Sequence, residues 1–180
     1  IDDLSTGSLA NLADARAVGS GLKIHHLDAT STEADSLIGM RRPDVIHLLT
    51  TLPRSDQPPA AHARAFHVAL AVLEAARRHG VAKVVVAVPA TALHGHPTSR
   101  ALPLKDVEIG QLVPRGVRGV LARALVDLLV SFRDLHAVEF TALAMATVYG
   151  QRQRADGGVV GAVVHAAATA TAPVIDGDGR

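Results

Sequence analysis

The chain has 180 residues, 48% hydrophobic and 19% charged, with a formal net charge of +1, which describes one core-forming globular domain on the usual scale of roughly 100–200 residues each. Lys+Arg 18 nearly balances Asp+Glu 17 with no basic block, and Trp 0, Tyr 1 and Phe 3 leave little for base stacking, so a nucleic-acid partner is excluded. The absence of cysteine excludes disulfides and thiolate metal sites and fits a reducing cytoplasm. No apolar run approaches the roughly 20 residues of a membrane span and no signal peptide opens the chain, so we expect a cytoplasmic protein with no membrane partner.

In chain order, Ile1-Asp2-Asp3-Leu4-Ser5-Thr6-Gly7 reads as the end of a strand running into a turn, and Leu22–Leu27 as a short buried strand. Thr30 with Glu33 fits a capping box opening a helix to about Arg42, and Pro43 ends it. Asp44–Leu49 is the next strand. A long helix is expected from about Pro58 to His79, capped by Ser55 or Asp56 and stopped by Gly80. Ala82–Val88 follows, and its unbroken run Val84-Val85-Val86-Ala87-Val88 is what a strand covered on both faces shows. Val117, Val120, Leu121, Ala124, Leu125, Leu128, Leu129, Phe132 and Leu135 recur at helical spacing and predict a helix with one buried face. Val138–Met145 is a strand, about Val159–Ala170 a helix, and Pro173–Asp176 a last strand. This alternation predicts an α/β fold, a doubly wound parallel sheet.

Such sheets bind ligands outside the carboxyl ends of their strands, and three segments fall there. Asp2 and Asp3 read either as acceptors for the hydroxyls of an adenosine ribose or as turn caps. Leu27-Asp28-Ala29 points at the same crevice or caps the helix that follows. In His47-Leu48-Leu49-Thr50-Thr51, small and apolar residues at Leu49, Thr50 and Thr51 let a cofactor approach the backbone. The 10 histidines show no acidic clustering, so no metal site is expected. His25 and His26 read as strand residues, and His62, His67 and His79 as helix-surface residues.

Taken together these pieces resemble the extended short-chain dehydrogenase/reductase family, in its NAD-dependent sugar-nucleotide epimerase/dehydratase branch. The resemblance runs through Asp2-Asp3-Leu4-Ser5-Thr6-Gly7, Pro43-Asp44-Val45-Ile46-His47-Leu48 and Val72-Leu73-Glu74-Ala75-Ala76-Arg77. It continues through Gly80-Val81-Ala82-Lys83-Val84-Val85, Thr147-Val148-Tyr149-Gly150 with Gln153, and Gly177-Asp178-Gly179. It covers essentially the whole chain. It implies a Rossmann-like domain over 1–180 that begins at the end of the family's second strand. The first strand and the glycine-rich turn that receives the pyrophosphate then lie before Ile1, and 173–180 leads toward a small substrate domain. The chain is thus expected to be a segment of a longer protein, because the family's first strand lies mid-sheet and its absence leaves two bare interior edges.

The resemblance also implies a catalytic Ser or Thr after the fifth strand and a Tyr-x-x-x-Lys on the next helix. This sequence departs at all three positions. The hydroxyl position is Ala90, with Thr91 one residue away; the tyrosine position is Arg115 and the lysine position Gly119. An Asn often carried early in the long helix falls on Ala65. Three side chains remain as candidates. His94 can donate a proton near neutral pH or simply be solvated. Thr91 can position a substrate oxygen or merely end a strand. Tyr149 lies on a loop that faces the substrate in the family, or only packs. Arg115 suits an anionic group better than proton transfer.

The reading that follows is an atypical oxidoreductase using NAD or NADP, NAD being favoured by the acid at Asp2 although Arg16 lies downstream. Its alternatives are a non-catalytic cofactor-binding or scaffold protein and, ranked lowest, a sugar-nucleotide epimerase or dehydratase. The partner is a small-molecule substrate. A homodimer is expected through the helices near 58–79 and 117–136, where Ala61, Ala65 and Ala69 give a smooth stripe.

Overall fold

The structure, a computed structural model, describes residues 1–19, 21–50, 52–54, 57–94 and 113–173. The chain divides into two compact units, Ile1–Ala146 and Thr147–Arg180.

In the first unit, a 3₁₀ turn at Leu9–Leu12 leads into α1 (Ala13–Ala17), followed by α2 (Thr32–Arg41), β1 (Val45–Leu48), α3 (Pro59–His79), β2 (Lys83–Pro89), α4 (Ala90–His94), α5 (Gly116–His136) and β3 (Glu139–Met145). The strands form a parallel sheet in the order β1-β2-β3. Val45 is opposite Lys83, and Lys83 is opposite Glu139. This is the α/β, Rossmann-like architecture expected, with a helix crossing over between each pair of neighbouring parallel strands.

The core follows from periodicity. From α3 it takes Val68, Ala69, Val72, Leu73, Ala75 and Ala76, from α5 Ala122, Leu125 and Leu129, and from β2 the fully buried Val84, Val86 and Val88. Leu73 and Leu129 are the largest side chains with no exposure at all. Full burial of each is worth about 1.5–3 kcal/mol. Val85 between them is only half-buried, so the apolar run of β2 is sealed fully on one face. Gly80 (φ +71°) closes α3 in the left-handed conformation, its N–H donating to the Ala76 carbonyl, as its position after the last apolar residue predicts.

Several local expectations are corrected. Residues 22–27 make a single parallel bridge, His26 with Asp2, and no longer strand. Among the described residues this bridge and the three-stranded sheet do not pair with each other. The cap of α2 is Ser31, whose Oγ accepts from the Ala34 N–H at 3.1 Å, because Thr30 is already engaged by Asp28. Pro58 is the N-cap of α3, not Ser55 or Asp56, which lie outside the described residues; Pro59 at the first helical position has no N–H and so needs no acceptor there. In α5 the buried stripe is Gly119, Ala122, Leu125 and Leu129. Val117, Val120 and Leu135 are exposed, since α5 turns its glycine toward α4. His62 is buried, 2% exposed, not on the surface. The alanine stripe of α3 turns inward as well: Ala69 is 3% exposed and Ala65 packs on the core, because α3 and α5 pack on each other within the chain.

The second unit holds α6 (Val159–Ala168). Gln153 Nε2 donates to the carbonyl of Gly157 at 3.2 Å and fastens the preceding loop. Gly161 is required by close approach: a Cβ there would stand 2.7 Å from the Arg154 carbonyl oxygen. Of the expected last strand, Pro173 shows no strand structure, and 174–176 lie outside the described residues.

Candidate functional site

The acids at the chain's opening are placed by backbone. The Asp2 N–H donates to the His25 carbonyl and the Leu27 N–H to the Asp2 carbonyl, both at 3.1 Å. This parallel bridge sets Asp2 and Asp3 beside Asp28 at the end of the adjoining segment. His26 Nε2 adds a 3.0 Å contact with the Asp3 carbonyl.

The three carboxylates then differ sharply. Asp3 Oδ1 accepts from the Ser5 N–H (3.0 Å) and hydroxyl (2.6 Å). Asp28 Oδ1 accepts from the Thr30 N–H (2.9 Å) and hydroxyl (2.8 Å), an Asx turn. The second oxygens of both converge on Arg64 Nη2, at 3.1 Å from Asp3 and 3.0 Å from Asp28. These contacts favour the charged form. Asp28 is held down to about 2, first by the Thr30 N–H and hydroxyl and then by Arg64. Asp3 is lowered chiefly by Ser5, and Arg64 is raised, chiefly by its hydrogen bond to Asp28. Asp2 stands apart. Its Oδ1 accepts from the Leu4 N–H at 2.7 Å, and its Oδ2 has no hydrogen-bond partner among the described residues. Gly7 keeps the space over it open, for a Cβ at that position would lie 3.4 Å from Oδ2 and 3.5 Å from Oδ1. Asp2 is therefore a fixed carboxylate with one oxygen and a small cradle available to a hydroxyl donor.

At the end of β1, Leu49 and Thr50 are exposed; Thr51 lies outside the described residues. Ala29 is half-buried and packs on the core. Arg16 lines a cavity of about 280 Å³ with Leu4, Leu9, Leu22, Ile24 and His26.

The end of β2 carries the second group. Pro89 still pairs with Met145, so Ala90 and Thr91 open α4 and do not end the strand. Thr91 is exposed, and its Oγ1 accepts from Arg118 Nη1 at 3.5 Å. His94 closes α4 half-buried, with Nδ1 buried and unpartnered among the described residues. Arg115 is the exposed N-cap of α5 and makes no side-chain cap bond. Gly119 is buried against α4, where a Cβ would meet the Ala92 carbonyl oxygen at 3.4 Å. Tyr149 is 68% exposed and belongs to the second unit, where it lines a groove with Gln153, Val164 and His165.

The structure thus joins Asp3 to Asp28 through Arg64 and Thr91 to Arg118. Neither arginine was singled out in the sequence: Arg64 is an exposed helical charge, and Arg118 sits between the two positions the family motif occupies. No group of three or more His, Asp or Glu among the described residues is placed to hold a metal. No described helix is long and apolar enough to cross a membrane.

A parallel sheet with helical crossovers between its strands defines a Rossmann-like α/β class. The model of the NAD dependent epimerase/dehydratase family matches residues 2–180, and the chain belongs to that family. Among solved structures, the UDP-glucose 4-epimerase of Thermotoga maritima, in complex with UDP-glucose, is similar with a TM-score of 0.83 at 23% identity, over 99% of this chain and 57% of that one. The UDP-N-acetylglucosamine 4-epimerase of Methanobrevibacter ruminantium M1 gives 0.82 at 22%, over 99% and 57%. A GDP-mannoheptose C4 reductase from Campylobacter jejuni with NADP bound gives 0.67 at 17%, over 89% and 52%. These likenesses concern the fold, and the chain spans little more than half of each structure's length. No curated protein matches the chain in sequence.

Proposed function

We propose that the protein is a nicotinamide-dependent oxidoreductase acting on a carbonyl/alcohol pair without the family's tyrosine–lysine pair. The observation that carries this reading is the open Oδ2 of Asp2 under Gly7. A carboxylate pinned on one oxygen and free on the other suits the hydroxyls of an adenosine ribose, and its charge disfavours a 2′-phosphate, so NAD is preferred over NADP. Leu49 and Thr50 follow β1 and are exposed, which leaves the backbone there approachable. Bound there, the nicotinamide would exchange a hydride with the substrate carbon.

The chain's own residues supply positioning. Thr91, on the first turn of α4, presents a hydroxyl that already accepts from Arg118 and so has its proton to donate to a substrate oxygen. His94, at the end of the same short helix, carries a ring nitrogen in need of a partner. Losing a general acid costs roughly 10²–10⁴-fold. Positioning of the reactants, worth up to about 7–11 kcal/mol, is a separate contribution. Arg115 and Gly119 replace the tyrosine and lysine, and a Cβ at Gly119 would stand in ordinary contact with the Ala92 carbonyl oxygen at 3.4 Å.

A second reading is a non-catalytic cofactor-binding or scaffold protein; the residues Ala90, Arg115 and Gly119 at the family's catalytic positions support it. A sugar-nucleotide epimerase or dehydratase, the activity named for several of the similar structures, ranks third, because epimerisation needs a base competent in both directions. A homodimer through α3 and α5 belongs to the same proposal. With the alanine stripe of α3 turned inward, its support is the exposed Val117, Val120 and Leu135 on α5, and a monomeric mass at micromolar concentration contradicts it.

The test is turnover of a carbonyl substrate with NADH by wild type, His94→Ala, Thr91→Ala and Tyr149→Phe. A drop of about 10²-fold in one variant identifies the proton donor. Full activity in all three assigns the proton to water or substrate. Cofactor binding without any turnover leaves the scaffold reading.

A further inference from the structure

Arg64 carries two carboxylates on one nitrogen. Its Nη2 donates to Asp3 Oδ2 at 3.1 Å and to Asp28 Oδ2 at 3.0 Å, which uses both hydrogens of that nitrogen. The first oxygens of the two acids are satisfied locally, Asp3 Oδ1 by Ser5 and Asp28 Oδ1 by Thr30. Both acidic turns therefore have their own hydrogen bonds, and what the arginine adds from α3 is chiefly charge. Asp2, Asp3 and Asp28 face one crevice, and among the described residues Arg64 is the cation paired with any of them. The Asp28 carboxyl is held down to about 2, so its charge persists across the physiological range. A dinucleotide brings further negative charge on its diphosphate. Acids crowded at the ribose end of its site repel it, and a cation among them offsets that repulsion.

We propose that Arg64 is the residue that sets how strongly the crevice admits a dinucleotide and how sharply it rejects a 2′-phosphate. Its guanidinium offsets the charge of Asp3 and Asp28, so that the ribose meets Asp2 as the acid of the three without a cation. Arg64 acts through its two carboxylates and is a positioning residue. The inference rests on the reading that a dinucleotide binds beside Asp2 and names a determinant of that site. Because all the groups are partly exposed, the effect acts through solvent and weakens with salt. A clasp that served only to hold the two turns together would show neither that salt dependence nor a response to the charge of Asp28.

The test is fluorescence titration of NADH and NADPH, at low and at physiological ionic strength, into wild type, Arg64→Ala, Arg64→Lys and the double variant Arg64→Ala with Asp28→Asn. Arg64→Ala is expected to weaken NADH binding roughly three- to tenfold at low salt and NADPH binding by more, with the loss shrinking as salt is added. Arg64→Lys keeps the charge and should stay near wild type. The double variant restores the charge balance without restoring the clasp, and its asparagine keeps an Oδ1 for Thr30, so NADH affinity should return most of the way. Unchanged affinity in Arg64→Ala, a loss that salt does not alter, or no recovery in the double variant overturns the role of Arg64, while saturable binding by wild type leaves the cofactor reading standing. Absence of binding by wild type overturns both.

Discussion

Arg64 Nη2 stands 3.0 Å from Asp28 Oδ2, a bond between residues 36 apart in sequence. The same nitrogen also holds Asp3 Oδ2 at 3.1 Å. One guanidinium on the long helix α3 thereby joins the two acidic turns that flank the crevice, and it leaves Asp2 as the carboxylate with an open oxygen.

The Asp28 carboxyl should titrate near pH 2. Its folded pKa is depressed, so its contribution to stability is present above the unfolded value and is lost as pH falls through about 2. A carboxyl ¹³C titration checks this. Arg64→Ala should raise the midpoint only in part, because the Thr30 N–H and hydroxyl contribute more; a full return to the ordinary aspartate range contradicts that ordering.

Arg64→Ala should leave the urea unfolding midpoint nearly unchanged. The arginine side chain is 54% exposed and its partners 35% and 37%, so solvent screens both pairs.

Ala137 caps α5 at φ +57°, with its N–H donating to the Arg133 carbonyl. That left-handed conformation burdens any residue with a Cβ by about 1–2 kcal/mol, and glycine relieves it at some cost from the greater entropy it gives the unfolded chain. Ala137→Gly is expected to stabilise by about 1 kcal/mol, seen as a rise in Tm.

Gly39→Ala is expected to destabilise by about 1–3 kcal/mol through overpacking. The added methyl would stand 2.7 Å from His79 Cε1, and His79 is held by Asp35 Oδ1 at 3.1 Å. Asp35 is also bound by Arg78 at 3.0 Å, so the joint between α2 and α3 cannot yield without losing a bond. Thermal unfolding of the variant checks it.

The layout was legible where periodicity and stop signals agree. The helix ending at Gly80 and the strands Val45–Leu48, Lys83–Pro89 and Glu139–Met145 fall close to their expected places because apolar spacing and a left-handed cap act locally. What escaped depends on long-range partners. His62 is buried although its residue type reads as surface, and Ser31 displaced Thr30 as the cap because Asp28 had already claimed the threonine. The crevice acids were named from sequence, but which of them stays open is decided by Arg64, 61 residues from Asp3. At the second group, the loss of the motif at Ala90, Arg115 and Gly119 was readable; the approach of Arg118 to Thr91 needed the packing of α4 on α5.

The central claim is tested most directly by fluorescence titration of NADH into wild type and Asp2→Ala. The account predicts saturable binding, tighter for NADH than for NADPH. Asp2→Ala should weaken it by about 1.5–3 kcal/mol, the worth of a hydrogen bond to a charged group, or roughly ten- to a hundredfold. Absence of saturable binding by wild type, or equal affinity in Asp2→Ala, would contradict it.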